Sequence, residues 1–324
     1  MSGWLARRFA SSVAIVFAVV TLTFFVIRLA PGEPFLPQSD RVMDAATRQS
    51  LRETFGLDQG LATQYVKYLA ALATGELGVS FTHRRPVSEL LAVVLPNTLL
   101  LAAAALLLDF LLGVALGVFQ AMRARSPTDV ALGAGTLFLA SVPTFWLGMI
   151  LIIVFAQWLD FFPVGGIQDA VRGATGWTGR VLDRAWHLVL PAVTLGVVGA
   201  ATTARYQRAA ALDAKAHDYV RTARAKGVPE RLVMYRHVLR NALLPTVTLF
   251  GLSFPFLLTG SVLIETLFNW PGMGRLAAKA ILEHDYPVVS ATMLVASVMV
   301  VMGSFIADVL TALADPRIRL REAA

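Results

Sequence analysis

Six long apolar segments alternate with polar segments along the 324-residue chain. A helix needs about 20 mostly apolar residues to cross the hydrocarbon core of a bilayer. The pattern therefore predicts six transmembrane helices, and we expect the prolines inside several of them to kink the helix, because packed neighbours can bond the carbonyls that proline frees. The predicted spans are residues 9–29, 95–119, 130–159, 188–206, 243–263 and 288–313.

The first apolar segment raises the alternative of a cleaved signal peptide. Arg7 and Arg8 form a charged start, but the apolar run that follows is longer than the roughly 7–15 residues of a typical signal core. The residues after it form no clean cleavage site. We therefore interpret it as a retained span.

The connecting segments after the first, third and fifth spans differ in pattern. Residues 30–94 are too long for a simple connector; an amphipathic stretch at 64–69 and a glycine turn at 75–80 predict a small, mainly helical cap. Residues 160–187 are glycine-rich and predict a loop. Residues 268–287 contain a short helical pattern, 275–283, after Pro271 and Gly272.

The segment 207–241 predicts a helix, a sharp turn and a second helix. Residues 213–226 are helix formers throughout, and Gly227 fits the left-handed position that follows a helix end. Pro229 fits the first turn of the next helix, which we expect to run to about Asn241. A basic hairpin on lipid headgroups and a rigid docking element for another protein are both compatible with this pattern.

Charge indicates the orientation of these elements. Lysine and arginine concentrate before the first span, in segment 207–241 and in the tail 314–324. The positive-inside rule therefore predicts that both termini and this segment face the cytosol. The net charge of +7 follows from that topology, so we infer no nucleic-acid binding from it.

Composition excludes several classes of function. Hydrophobic residues make up 56% of the chain, which rules out a disordered protein, and there is no cysteine for disulfides, thiol catalysis or Cys-based metal sites. The sequence contains no Gly-Lys pair, so the usual nucleotide-binding loop is missing. The five histidines show no ligand spacing, and no catalytic trio stands out. We therefore predict no catalytic or metal-binding residue.

Asp109 lies in the middle of the second predicted span, where a carboxylate is expensive to bury. It could line a pathway and recognise a cationic group or relay protons, or it could be a hydrogen-bonded or protonated acid between helices. Asp308 lies near the inner end of the last span, where we expect snorkelling or pairing with the C-terminal arginines. Gly113 and Gly117 predict close helix packing on the second span.

Several motifs in order resemble one family. Residues 219–227 read Y-V-R-T-A-R-A-K-G, and 237–245 read H-V-L-R-N-A-L-L-P; further matches are P-G-E-P at 31–34, G-L-D-Q at 56–59, G-E-L-G at 75–78, W-P-G at 270–272 and D-P-R-I-R at 315–319. Together they resemble the integral membrane permeases of binding-protein-dependent ABC importers, in the dipeptide/oligopeptide/nickel branch. The long loop between the first two spans resembles the first type of the branch's two permease subunits.

The resemblance implies an all-α polytopic membrane protein, with six transmembrane helices of the ABC importer permease type, a small outer cap and a cytosolic coupling helix at about 218–226. Residues 1–94 would be the first span with the cap, 95–313 the permease core with the coupling loop 207–241, and 314–324 a cytosolic tail. Coupling to the ATPase would fall to Asp218, Tyr219, Arg221, Thr222, Ala223, Arg224 and Gly227.

The resemblance also implies the partners. These are a second homologous permease, two cytosolic P-loop ATPases that bind ATP and Mg, and an extracytoplasmic binding protein, in a bacterial inner membrane. This chain would bind no cofactor and would not be an enzyme. Di- or oligopeptides are the expected substrates, with nickel, glutathione and oligosaccharides as alternatives. A proton- or sodium-driven secondary transporter and an intramembrane enzyme are the rival functions.

Overall fold

The computed structural model describes residues 2–29, 49–50, 53, 56–169 and 176–314. The side chains of residues 2–6, 251–252, 254–260 and 310–314 lie outside that description. The named elements are all helical: α1 (Ser2–Leu29), α2 (Leu61–Ala73), α3 (Val87–Met122), α4 (Pro127–Ser141), α5 (Thr144–Leu151), α6 (Gly176–Ala216), α7 (Asp218–Ala225), α8 (Glu230–Leu232), α9 (Leu239–Leu267), α10 (Met273–Leu282) and α11 (Tyr286–Ala314).

Four described helical segments are long and apolar enough to cross a membrane: Arg7–Leu29, Val87–Met122, Gly176–Ala216 and Tyr286–Val309. A fifth is obtained if α4 and the run Thr144–Trp158 count together, although they meet at an angle of 102°. The chain is therefore a multi-pass membrane protein. The remaining predicted span, 243–263, falls within α9, where many side chains are outside the described residues, so the count of six stays a prediction.

The chain divides into two compact units. Unit 1 comprises Met1–Thr98 and Pro271–Val301. In it, α2 packs on α1 through aromatic rings: Phe24 is fully buried, and its ring centroid lies 5.2 Å from that of Tyr65 and 5.3 Å from that of Tyr68. The amphipathic stretch of the predicted cap is thus a helix, and Gly75 and Gly78 both have positive φ, as a glycine turn requires.

Unit 2 comprises Leu99–Trp270 and Met302–Ala324. Its α3 and α6 approach so closely that a Cβ on Gly117 would lie 2.6 Å from the carbonyl oxygen of Ala204, and one on Gly113 would lie 2.6 Å from the side chain of Thr203. The predicted close packing at these two glycines is therefore confirmed. Trp270 and Phe268 are buried in an apolar cluster with residues of α3, of the π-type turns Ile152–Trp158, of α6 and of α9.

Three expectations about element boundaries were wrong. The loop predicted at 160–187 is shorter, because α6 begins at Gly176. Residues 213–226 do not form one helix: α6 ends at Ala216, and His217, in extended conformation, caps α7. The helix after Pro229 does not end near Asn241, because the π-type turns Val233–Val238 join α8 directly to α9. In the first and third cases a helix continues where composition suggested a boundary, and in the second a break falls within a run of helix formers.

The predicted kink at Pro143 is confirmed, and it is sharp enough to divide the segment into two helices. α4 ends at Ser141 and α5 begins at Thr144, with the 102° bend between them. The motifs predicted at 31–34 and 315–319, and the arginines expected to pair with Asp308, lie outside the described residues.

Candidate functional site

The short helix α7 has one buried face and one exposed face. Val220 is fully buried and Ala223 is 6% exposed. Both belong to an apolar cluster that also contains Val118 and Ala121 of α3, Ala211 and Ala214 of α6, and Val233, Met234, Val238 and Ala242 of the following helical run. Because the cluster draws on four segments, it fixes the position of α7 within unit 2.

The opposite side of α7 is open. The side chains of Asp218 and Arg221 are 94% and 75% exposed, and Tyr219 and Thr222 are also exposed. We call Asp218, Tyr219, Arg221, Thr222 and Arg224 the exposed face of α7. Of the seven residues predicted to couple to a partner, these five lie together, whereas Ala223 points into the cluster and anchors the helix.

Backbone geometry ends α7 abruptly. Gly227 has φ +73°, its N–H donates to the carbonyl of Arg224 at 2.9 Å, and the N–H of Val228 donates to the carbonyl of Ala223 at 3.2 Å. This pair of bonds is the Schellman arrangement, in which a left-handed residue closes a helix end. The prediction that Gly227 occupies the left-handed position is confirmed.

An ion pair bridges the turn that Gly227 makes. The guanidinium of Arg224 donates from Nε to one carboxylate oxygen of Glu230 at 3.0 Å and from Nη2 to the other at 2.7 Å. The hydrogen bonds from Arg224 lower the pKa of Glu230. The two side chains are 39% and 54% exposed, so the pair contributes less than about 1 kcal/mol. It links α7 to α8 across the turn.

Two further contacts in unit 2 support this region, and sequence reasoning missed them. Lys215 donates from Nζ to the carbonyl oxygen of Ala121 at 3.1 Å, near the end of α3. Arg208 of α6 holds Asp129 of α4 with two hydrogen bonds of 2.8 and 2.7 Å. No local pattern identifies either pair, because the partners are 94 and 79 residues apart.

Asp109 is 8% exposed and lies between α3 and α6. Its Oδ1 accepts a hydrogen bond of 2.6 Å from Thr203, and a Cβ on Gly199 would lie 2.6 Å from its Oδ2. This geometry favours a hydrogen-bonded acid between helices over a group that faces a pathway. The pathway role of Asp109 remains an untested prediction.

Comparisons with known proteins agree along the whole chain. The profile described as "Binding-protein-dependent transport system inner membrane component" matches residues 113–320, and that of its N-terminal part matches residues 1–102. The chain is 38% identical to the oligopeptide transport system permease protein AppB of Bacillus subtilis, over 98% of this chain and 99% of the relative.

Two further relatives are similar to the chain to the same degree. The di/tripeptide transport system permease protein DppB of Pseudomonas aeruginosa is 39% identical over 98% of this chain and 99% of its own length. The glutathione transport system permease protein GsiC of Escherichia coli is 36% identical over 99% of this chain and 100% of its own length.

Proposed function

The chain belongs to the family of inner membrane components of binding-protein-dependent transport systems. On that premise we propose that it is the permease subunit of an ATP-driven peptide importer. The exposed face of α7 would couple it to the ATPase. The observation that carries the proposal is the combination at α7 of a rigidly anchored helix with an open polar face. A helix that is fixed to the membrane core can transmit a push from a partner, whereas a flexible loop cannot.

The expected assembly contains a second homologous permease, two cytosolic P-loop ATPases with ATP and Mg, and an extracytoplasmic binding protein, in a bacterial inner membrane. Closure of the ATPase pair would move α7. The movement would then pass through α6, and through the helical run from α8 to α9, into the six expected transmembrane helices. The permease would then alternate between inward-open and outward-open states that ATP and the loaded binding protein favour differently. Hydrolysis would take place on the separate ATPase subunits.

The charge distribution supports an orientation with both termini and α7 in the cytosol. Around α7 lie Lys215, Arg221, Arg224, Lys226 and Arg231, as the positive-inside rule requires of a cytosolic segment. The cap of unit 1 would then face outwards and offer a platform to the binding protein.

A peptide is the substrate that the relatives favour. Two of the three relatives described above carry a peptide name, and the third carries the name of glutathione, itself a small peptide. Nickel and oligosaccharides remain alternative substrates, and the selectivity of the separate binding protein would decide between them and a peptide.

A single-cysteine cross-link tests the coupling surface. The chain has no native cysteine, so Arg221→Cys introduces a unique thiol on the exposed face of α7. We expect a bifunctional thiol reagent to join this variant to the ATPase in native membranes. Glu89→Cys is the matched control, because Glu89 is 52% exposed but lies in unit 1. Equal cross-linking from both positions, or from neither, would contradict the assignment.

Purification of the tagged chain in mild detergent tests the assembly. Co-purification of a second permease, P-loop ATPases and a binding protein is the expected result, and small molecules released from the binding protein would name the substrate. Recovery of the chain alone from membranes that transport actively would favour a secondary transporter.

A further inference from the structure

Unit 1 contains a half-open pocket of about 260 Å³ next to α2 and the start of α11. Three charged residues line it: Arg28, Lys67 and Glu76. The pocket therefore carries one excess positive charge. Its other walls are mostly apolar, formed by Leu57, Leu72, Leu77, Val79, Pro287 and Ala291.

Arg28 supplies the cation at the end of α1. Its Nε donates to Oε1 of Gln64 at 2.7 Å, and its guanidinium carbon lies 3.8 Å from the centre of the Phe24 ring. Within the part of the chain that the structure describes, no carboxylate pairs with Arg28. The guanidinium has five N–H donors, and the bond to Gln64 uses one of them.

The position of Arg28 along α1 gives the depth of the pocket in the membrane. Arg8 and Arg28 lie at opposite ends of the apolar stretch of α1. The two residues are 20 positions apart, which corresponds to about 30 Å of helix, the thickness of the hydrocarbon core of a bilayer. With Arg8 at one interface, Arg28 lies at the other, at the level of the lipid headgroups.

The aromatic residues of the pocket suit the same depth. Tyr68 and Tyr286 line it together with Arg28, and the guanidinium carbon lies 6.0 Å from the centre of the Tyr286 ring. Tyrosine prefers the membrane interface because its ring is apolar and its hydroxyl is polar. The cation at one end of the pocket suits a phosphate group, the two phenols suit the membrane interface, and the apolar walls suit an acyl chain.

We propose that this pocket binds a membrane phospholipid, with Arg28 as the ligand of the headgroup phosphate, Lys67 as a second and weaker cation, and the apolar walls as the seat of the upper acyl chain. All the residues that line the pocket belong to unit 1. It would tie α1 and α2 to the bilayer surface through a lipid that stays with the protein on extraction. The proposal does not depend on the transported substrate.

Native mass spectrometry of the purified assembly tests this site. The assembly is delipidated in detergent and titrated with phosphatidylglycerol, and bound lipid is counted. The site is identified with the lipid that dissociates last. We expect Arg28→Gln to weaken the binding of that lipid about tenfold, because one charge-assisted contact to phosphate is lost. Arg28→Lys retains the charge and should lose less. Lys67→Gln, an exposed position, should weaken retention about threefold without affecting the fold.

Controls distinguish the lipid from other sources of the same chemistry. Arg85→Gln removes an exposed arginine of unit 1, 64% accessible, and should retain lipid as wild type does. Diacylglycerol, which lacks the phosphate, should bind at least tenfold more weakly than phosphatidylglycerol. Equal retention by wild type, Arg28→Gln and Lys67→Gln would overturn the proposal, as would a site occupied by inorganic phosphate with no retained lipid.

Discussion

Two helix ends in this chain have the same backbone geometry and are held in different ways. Just after α7 in unit 2, Gly227 has a φ of 73°, and just after α10 in unit 1, His284 has a φ of 54°. In α10 the N–H of Asp285 donates to the carbonyl of Ala280 at 2.9 Å, which is the bond that Val228 makes after α7. Both ends are therefore Schellman turns, but only α7 uses glycine for the left-handed residue.

The residue after each turn accounts for the difference. Val228 packs on the apolar cluster under α7. Asp285 is 1% exposed, and its carboxylate accepts hydrogen bonds from Ser80 Oγ at 2.5 Å and from the N–H groups of Phe81 and Thr82 at 3.1 Å each. Hydrogen bonds from a distant loop thus stabilise the α10 turn, whereas local conformation and packing stabilise the α7 turn.

Among substitutions at these two helix ends, Asp285→Ala is expected to lower stability the most. It leaves the N–H groups of Phe81 and Thr82 without their acceptor inside the protein and should cost about 3 kcal/mol of stability. Limited proteolysis should then cut near residues 80–86, and the unfolding temperature of the assembly should fall. Asp285→Asn, which keeps one acceptor oxygen, should lose less than half of that. Unchanged proteolysis of Asp285→Ala would mean that the carboxylate does not hold the loop.

Gly227→Val comes next, because a β-branched residue at this φ costs about 1–3 kcal/mol. We expect membrane insertion to be normal but ATP-driven uptake to be lost, since the turn would distort α7. Gly227→Asn is the matched control, because asparagine tolerates the left-handed region and nothing lies within 4 Å of the added Cβ. Uptake by the valine variant at the wild-type rate would contradict both the geometry and the coupling role.

His284→Gly should have a smaller effect of opposite sign. It removes the left-handed strain of a non-glycine residue and should stabilise unit 1 by about 0.5 kcal/mol, since the greater freedom of glycine in the unfolded chain offsets part of the gain. A thermal shift measured beside wild type checks the sign. A loss of stability would indicate that the imidazole makes a contact that matters more than the backbone strain.

The smallest expected effect belongs to the Arg224–Glu230 pair. Because the folded protein lowers the pKa of Glu230, its contribution is present above the ordinary pKa of glutamate and is lost as pH falls through the lowered value. At neutral pH, Glu230→Gln should cost a few tenths of a kcal/mol, given the exposure of both side chains. The difference from wild type should disappear in acid. A difference that grew on acidification would refute the assignment.

The same contrast explains what could be predicted from sequence. Gly227 is a local signal, since a helical run ends there and a proline follows, and its left-handed conformation was predicted correctly. Asp285 could not be identified as a hydrogen-bond acceptor, because its partners at Ser80, Phe81 and Thr82 are more than 200 residues away. The apolar runs predicted four of the spans, but hydrophobicity does not reveal that α6 continues as one helix to Ala216.

Site prediction has the same limit. Sequence grouped Asp218, Tyr219, Arg221, Thr222, Ala223, Arg224 and Gly227 by resemblance, and only the folded helix separates the five outward residues from Ala223. Glu230 follows Pro229 directly and could have been noted as a partner for Arg224, six residues away, once a turn at Gly227 was assumed. Lys215 and Asp129 depend on tertiary neighbours that no local pattern reveals.

The length of α6 has a mechanical consequence. The helix runs without a break from Gly176 to Ala216, and one of its closest approaches to α3 is at Ala204, opposite Gly117. From that contact the arm towards α7 is about 18 Å and the arm towards Gly176 is about 42 Å, at 1.5 Å per residue. A helix that turns as one body about this fulcrum acts as an unequal lever. A shift of about 2 Å at the α7 end then becomes about 5 Å at the far end, so a small stroke is sufficient to move the opposite end of the helix by a full side-chain width.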